Sequence, residues 1–209
     1  MPAISRDAEQ SLSKIKRFVE DVVYVVEVGD REPTSKRWLS APTLTVDSAD
    51  PSLQKFVEGI FTKICQVARL TETGDSPLTV HIGHSKELTK IAEGVDRRIQ
   101  LKSGHSYWAF WNGDGSLKNA FVFLCVDRVR GPIAADALLE DILGAFGFSS
   151  RSREFDETCL SSKPKSLTAL TPLDEKLIAF YYNFVPPGTR KAELRKLCDA
   201  HWNSAVEGL

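Results

Sequence analysis

The chain lacks the sequence features that mark several functional classes of protein. Its formal net charge of −1 gives no electrostatic basis for binding nucleic acid or an anionic membrane surface. No run approaches the roughly 18 apolar residues of a membrane-spanning helix, and the first residues lack the apolar centre of a secretory signal. We therefore expect neither nucleic acid nor a membrane as partner. Both a cytoplasmic protein and an exported one whose leader has been removed remain open.

Closely spaced cysteines are also missing. The four cysteines form no CxxC pair, which argues against a zinc knuckle and a thioredoxin-type site. They are Cys65, Cys125, Cys159 and Cys198. We expect buried free thiols, and a Cys125–Cys159 disulfide is the alternative if the protein is exported.

What is present is an alternation of helix and strand patterns over an ordinary globular composition, which predicts one domain over residues 1–209. The expected helices cover 7–26, 51–68, 86–93, 132–146, 171–183 and 189–202. The expected strands cover 44–46, 78–82, 107–111 and 117–126, and NGDG joins the last two into a hairpin. The pattern predicts an α+β (α/β) fold, with a small mixed sheet and hairpin packed against helices and a helical C-terminal part. The serine-rich, charged segment 149–166 is expected to be a mobile loop.

Capping and turn residues predict several of these boundaries. Asp50-Pro51 reads as an N-cap followed by proline in the first turn. Thr171 and Asp174 are spaced as a capping box, and Gly147 stands where a helix would end. Thr189 is expected to cap the last helix.

The letters His81-Ile-Gly-His84 spell the nucleotide-binding signature of class I aminoacyl-tRNA synthetases and related nucleotidyltransferases. A strand and two helices precede them, and no glycine-rich phosphate cradle accompanies them, which favours a strand-end histidine followed by a glycine turn. A metal site of His81, His84 and His105 is a further alternative, although residues three apart at a strand end need not share a face.

The stretch EDILGAFGF, residues 140–148, scans like the zinc-binding helix of a metallopeptidase. When HExxHxxGxxH is laid on it, Glu140 takes the first ligand position, Asp141 the general base and Gly144 the second ligand. Gly147 takes the turn glycine and Ser150 the third ligand. Only the turn glycine and the acidic base position are retained, so we expect no metal and no other cofactor.

The surrounding motifs resemble zincin-like metallopeptidases of the metzincin type. LTPLDEKLIAFYY, residues 170–182, is similar to the helix that follows their active-site loop. Arg37-Trp38 with Pro42, and the step at 187–189, are most similar to a bacterial family of unknown function that keeps this scaffold without HExxH. The resemblance spans about residues 15 to 200 and implies a zincin-like fold. The sequence departs from that family at Gly144, where glutamine is usual, and at Thr189, where methionine is usual.

Glu140 and Asp141 are the candidates for a catalytic role. Neighbours on a helix diverge by about 100°, so the two cannot act as a paired acid and base on one face. If Glu140 is not at the surface, it is expected to line a cleft with Arg128, Arg130 or a residue of the 149–166 loop. The candidate binding residues are Arg37, Trp38, Trp108, Trp111, Arg128 and Arg130. Packing within the fold is the alternative role for the tryptophans and for Arg37.

Two classes of function follow. The first is a non-catalytic zincin-like domain that binds a protein or peptide, because the architecture is kept while the ligands are missing. The second is an enzyme, either a hydrolase with a non-standard site around Glu140 and His81/His84 or a nucleotidyltransferase. The sequence leaves the oligomeric state open.

Overall fold

The computed structural model describes residues 6–24, 33–163 and 167–205. Its helices are α1 (Arg6–Val23), α2 (Pro51–Ala68), α3 (Ser85–Val95), α4 (Pro132–Ala145), α5 (Pro172–Phe184) and α6 (Lys191–His201). Its strands are β1 (Ala41–Ser48), β2 (Thr73–Gly83), β3 (His105–Trp111) and β4 (Leu117–Cys125). This set of elements confirms the α+β fold class. Of the described helices, none has the length and hydrophobicity that crossing a bilayer requires.

The four strands form one mixed sheet in the order β1-β2-β4-β3. β1, β2 and β4 are parallel, whereas β3 runs antiparallel to β4 and lies at the edge. The predicted hairpin of β3 and β4 is therefore confirmed. β1 and β2 are longer than the predicted 44–46 and 78–82, because their parallel pairing continues through polar residues that apolar alternation does not mark.

The sheet separates two apolar clusters. Val80 and Val122 point to the main core, in which α2, α4 and α5 pack. Phe123, one residue further along β4, points to a smaller cluster under α3. Successive side chains of a strand alternate between faces, so the register of β4 fixes which helix each residue meets. α4 packs against β3 and β4, the two strands of the hairpin.

Most predicted helix ends are confirmed by their caps. Asp50 accepts hydrogen bonds from the backbone at the start of α2, and the Thr171–Asp174 capping box is complete. At the end of α4, Gly147 has φ +98° and its N–H donates to the Gly144 carbonyl. Phe148 N–H donates to the Leu143 carbonyl, which completes a Schellman motif.

The prediction for the start of the last helix is wrong. α6 begins at Lys191, and its N-cap residue is Arg190 rather than Thr189. The Thr189 hydroxyl donates to the Pro186 carbonyl at 2.7 Å, while its N–H donates to Ser35 Oγ at 2.9 Å. Thr189 thus closes the preceding turn. The first helix ends at Val23, and the predicted continuation to 26 lies partly outside the described residues.

Hydrogen bonds hold the described part of the loop after α4. The buried Asp174 carboxylate accepts from the Thr158 hydroxyl and from Cys159 N–H. Ser152 and Ser161 form an isolated bridge. The mobility expected of 149–166 stays a prediction, as does the single domain over 1–209, and residues 164–166 lie outside the described part.

The four cysteines are free and buried, as predicted. Burial raises the pKa of the Cys65 and Cys198 thiols to about 12. Such thiols stay protonated and unreactive near neutral pH.

Candidate functional site between α4 and the edge strand

Asp141 and His105 form a hydrogen-bonded pair that joins α4 to β3. Asp141 is 4% exposed, and its Oδ2 lies 3.0 Å from His105 Nδ1. Burial raises the pKa of the Asp141 carboxyl to about 6. The hydrogen bond to Asp141 raises the pKa of His105. A histidine whose ring is oriented by a buried carboxylate can bind or transfer a proton at its other nitrogen.

Glu140, the adjacent residue, has a different partner. Its Oε1 accepts from Arg151 Nε at 2.6 Å, and its Oε2 accepts from Arg151 Nη2. This forked pairing raises the pKa of Arg151 further above its usual range. The two carboxylates therefore point in different directions, as their helical spacing requires, and Glu140 meets a residue of the loop after α4.

Tyr107 occupies the space above Gly144. A Cβ built on Gly144 would lie 2.5 Å from the Tyr107 ring, so only glycine allows this approach. The Tyr107 hydroxyl donates to the Ser149 carbonyl at 3.1 Å, which ties the ring to the loop that follows α4. The position that holds the second zinc ligand in a zincin helix is thus covered by an aromatic ring.

These residues do not fit a zinc ion. Glu140, at the first ligand position, is paired with Arg151, and Gly144 offers no side chain. Within the described residues, no group of three or more histidine, cysteine, aspartate or glutamate side chains could hold a metal. A catalytic zinc site needs three protein ligands and an open position for water.

Arg37 and Trp38 are engaged with the helices around the site. Trp38 is 1% exposed, and its indole N–H donates to the Ala145 carbonyl at 3.0 Å. Arg37 Nη1 donates to the Tyr182 carbonyl, and the guanidinium carbon lies 5.7 Å from the Tyr182 ring centroid. The pair satisfies backbone carbonyls at the ends of α4 and α5, which otherwise lack helical partners.

The two candidate tryptophans of β3 lie on opposite faces of the sheet. Trp108 packs on the smaller cluster, with the Arg98 guanidinium 4.9 Å from its ring. Trp111 packs on the main core, with Lys36 Nζ 5.0 Å from its ring. Both are half-buried, so each contributes packing as well as some exposed aromatic surface.

Arg128 and Arg130 are both exposed and bond to nearby backbone. Arg128 Nη1 donates to the Leu101 carbonyl at 2.8 Å, and Arg130 Nε donates to the Val126 carbonyl at 3.2 Å. Arg151, rather than either of these arginines, meets Glu140.

His81 and His84 lie away from this site. His81 stacks on Phe123 on the α3 side of the sheet, whereas Glu140 lies on the α4 side, so they do not share a site. At the start of α3, the Asp127 carboxylate accepts bonds from Ser85 N–H and from the Ser85 hydroxyl. These bonds lower the pKa of Asp127. The carboxylate thus takes the place at the helix N-terminus where a nucleotide phosphate would bind.

The outer edge of β3 faces away from the sheet. Cys125 N–H donates to the Gly104 carbonyl at 2.7 Å, so residues 104 and 125 are a hydrogen-bonded pair of the ladder. Alternation then directs the backbone groups of residues 106, 108 and 110 to β4, and those of 105, 107 and 109 outward. No other described strand pairs with this edge.

No protein-family model, curated protein or solved structure matches the chain. The likeness to zincin-like proteins therefore depends on the sequence motifs.

Sequence reasoning named Glu140 and Asp141 but missed most of their partners. The sequence patterns favour His105 only as a metal ligand, and they do not mark Tyr107 or Arg151 individually. A lone histidine at the start of an aromatic strand, with an acidic pair on a later helix, is the signal that could have suggested the Asp141–His105 contact.

Proposed function

We propose that the chain is a non-catalytic zincin-like domain that binds a peptide segment of another protein by strand addition to the outer edge of β3. The observation that carries the proposal is the edge position of β3 beside α4. An extended peptide can hydrogen-bond to the outward backbone groups of such a strand, and alternate side chains then give selectivity.

The chemistry of α4 supports a binding role without zinc-dependent proteolysis. Zinc peptidases polarise water with a metal held by three side chains. Here the Tyr107 ring covers Gly144, and Arg151 neutralises Glu140. A peptide paired with β3 would therefore lie beside a helix whose Gly144 is covered and whose Glu140 is paired, and not beside a zinc-activated water.

The composition of β3 also supports strand addition. Edge strands of monomeric proteins are commonly protected by lysine, proline or a bulge. HSYWAFW contains neither lysine nor proline, and its register shift lies at its last residue, between Phe110 and Trp111. The main part of the edge thus keeps the regular geometry that pairing requires, and half-buried Trp111 offers apolar surface beside it.

The test is a peptide-display selection on the folded protein, followed by calorimetric titration of the selected peptides. Ala109→Pro removes one outward N–H, and an edge strand tolerates proline there because that N–H does not serve the ladder. We expect Ala109→Pro to weaken peptide binding by about tenfold or more, because one backbone hydrogen bond to the peptide is lost and the adjacent ones are disturbed. Ala109→Ser keeps the N–H and should bind like the parent. Equal affinity of both variants for every selected peptide would exclude the β3 edge.

Metal analysis of the purified protein tests the non-catalytic part. We expect no stoichiometric zinc in either the parent or Glu140→Ala. Zinc at one equivalent that is lost on this substitution would overturn the proposal, because Glu140 would then be a ligand.

A hydrolase is the second candidate function, and the Asp141–His105 pair favours it. A buried carboxylate that orients an imidazole is the arrangement of a general base. If this candidate is correct, the protein hydrolyses a member of a peptide and ester panel, and His105→Ala abolishes the activity while the protein stays folded. An inactive parent protein over the whole panel would count against it.

A further inference from the structure

The Asp141–His105 pair is the titratable contact between the edge strand and α4. Within the described part of the chain, side-chain hydrogen bonds from His105 to Asp141 and from Tyr107 to the Ser149 carbonyl tie β3 to the α4 region. Only the first involves groups that change charge near neutral pH. His105 is also the first residue of β3, so its side chain anchors the strand where it begins.

The charged groups that act on the His105 ring are Asp141 and Glu140 of α4 and Arg151 of the following loop. Asp136, one turn before Glu140 in α4, acts on Arg151. Asp141 is the only one of these in hydrogen-bond contact with the ring among the described residues. Glu140 and Arg151 neutralise each other, which leaves the buried Asp141 carboxylate dependent on His105 for a positive charge.

We propose that protonation of His105 orders the edge strand against α4, and thereby strengthens peptide binding at β3 as the pH falls. The inference rests on the proposed function for its binding half. When His105 is protonated, its positive charge compensates the buried Asp141 carboxylate, and the hydrogen bond between them holds the start of β3 against α4. Loss of that proton leaves a buried charge with weaker compensation, so the start of β3 opens more often and a peptide must order it on binding.

The direction follows from both partners. The pKa of Asp141 and the pKa of His105 are both raised in the folded protein, so the folded state holds more protons than the unfolded one. The contribution of Asp141 to stability is lost as pH rises from its ordinary pKa of 3.8 to about 6. The contribution of His105 is fully present below its ordinary 6.5 and is lost as pH rises through its higher folded pKa. The pair therefore favours the ordered strand on the acidic side of neutrality.

Amide hydrogen exchange tests the ordering half without any ligand. Ser106 and Trp108 donate toward β4, so their protection, corrected for the intrinsic pH dependence of exchange, reports opening of β3. We expect protection of both amides to fall roughly threefold to tenfold between about pH 6 and about pH 8.5, because the ordered strand is favoured only while His105 holds its proton. Protection of Val80, in the central strand β2, should not change.

Three variants isolate the pair. Asp141→Asn keeps the shape and a hydrogen bond but removes the buried charge, and His105→Gln keeps a neutral donor; both should make protection of β3 independent of pH. Asp47→Asn is the matched control, because Asp47 contacts His81 at 3.2 Å on the other face of the sheet. That variant should retain the full pH dependence.

Titration of a selected peptide over the same pH range tests the binding half. We expect its affinity to fall with pH in parallel with the protection of β3, and to be flat in Asp141→Asn. Peptide binding that depends on Ala109 but not on pH, together with constant protection, would overturn this inference and leave the proposed function intact. Falling protection with no peptide bound at all would overturn the proposed function, and with it any regulatory use of the pair.

Discussion

At the scale of single residues, Gly144 shows how one missing side chain determines the character of the site. A glycine inside a helix is usually about 0.5–1 kcal/mol less stable than alanine. At Gly144 this rule reverses, because an added Cβ would lie 2.5 Å from the Tyr107 ring. The exposed Gly59 in α2 has no atom within 4 Å of its hypothetical Cβ, so it obeys the ordinary rule.

Alanine substitutions at these two glycines should therefore have opposite effects. We expect Gly144→Ala to lower the free energy of unfolding by about 1–3 kcal/mol, through overpacking against Tyr107. Gly59→Ala should raise it by about 0.5–1 kcal/mol. Urea denaturation measures both, and Tyr107→Leu should relieve part of the cost at Gly144. A stabilising Gly144→Ala would show that the ring does not occupy this space.

The directions of the Glu140 and Asp141 side chains on α4 follow from the sequence, but the identity of their partners does not. Spacing along a helix shows that Glu140 and Asp141 diverge, and it does so from the sequence alone. The partners His105 and Arg151 stand 36 and 11 residues away from them. Contacts at such separations depend on how the elements pack, and helical periodicity carries no information about that packing.

At the scale of elements, an aspartate carboxylate accepts backbone hydrogen bonds at the start of two helices, as the N-cap of α2 and as the third residue of α5. Asp50 is exposed and accepts from Ser52 and Leu53 N–H at the start of α2. Asp174 is fully buried within α5. It accepts from the Thr171 backbone and hydroxyl, and also from Thr158 and Cys159 of the loop after α4. Asp50 thus stabilises only the start of a helix, whereas Asp174 stabilises the start of a helix and also holds the loop after α4 in place.

Removing the two carboxylates should separate these roles. Asp50→Ala should cost about 1 kcal/mol, the usual value of an N-cap. Asp174→Ala should cost about 3 kcal/mol or more, because it leaves several buried donors without an acceptor. Guanidinium denaturation gives the free energies, and hydrogen exchange at Cys159 N–H reports the loop. Equal losses for the two variants would mean that Asp174 does no more than cap α5.

Local signals predicted the helix ends well, and pairing explains the exceptions. Asp50-Pro51, the capping box and Gly147 each act within one turn of chain, so the sequence is enough to recognise them. Thr189 looks like a cap but is bound by Ser35, which lies 154 residues away. β1 and β2 likewise extend beyond their predicted ends because they pair with each other over that extra length.

At the scale of the whole molecule, three distant parts of the chain meet beside the end of α4. Ser35 N–H donates to the Thr189 carbonyl at 3.0 Å, and Gly188 N–H donates to the Ser35 carbonyl at 2.9 Å. Arg37 N–H donates to the Gly115 carbonyl at 3.2 Å, in the turn between β3 and β4. The motifs at 37–38 and 187–189, which carried the resemblance, thus belong to one junction. Short motifs identify such residues, but not that they touch.

Two glycines make that junction possible. Gly115 has φ +85°, and a Cβ there would meet Gly188 N and the Ser35 carbonyl. Gly188 has φ +77°, and its Cβ would lie 2.7 Å from the Asp114 carbonyl. Both conditions, a left-handed backbone and a close backbone neighbour, exclude other residues. Gly113, two residues earlier in the same turn, has no atom within 4 Å and no positive φ.

Alanine at Gly115 should therefore destabilise the whole fold, while alanine at Gly113 should not. We expect Gly115→Ala to lower the free energy of unfolding by about 2–4 kcal/mol, from backbone strain together with the clash, and Gly113→Ala to change it by less than about 0.5 kcal/mol. Urea melts followed by far-ultraviolet circular dichroism and by tryptophan fluorescence measure both variants. In Gly115→Ala, the unfolding transitions reported by the two probes should shift to lower urea by the same amount. The reason is that the junction joins the N-terminal segment, the hairpin and the C-terminal helices. If only the fluorescence transition moved, the junction would be a local contact of the hairpin and not a support of the fold.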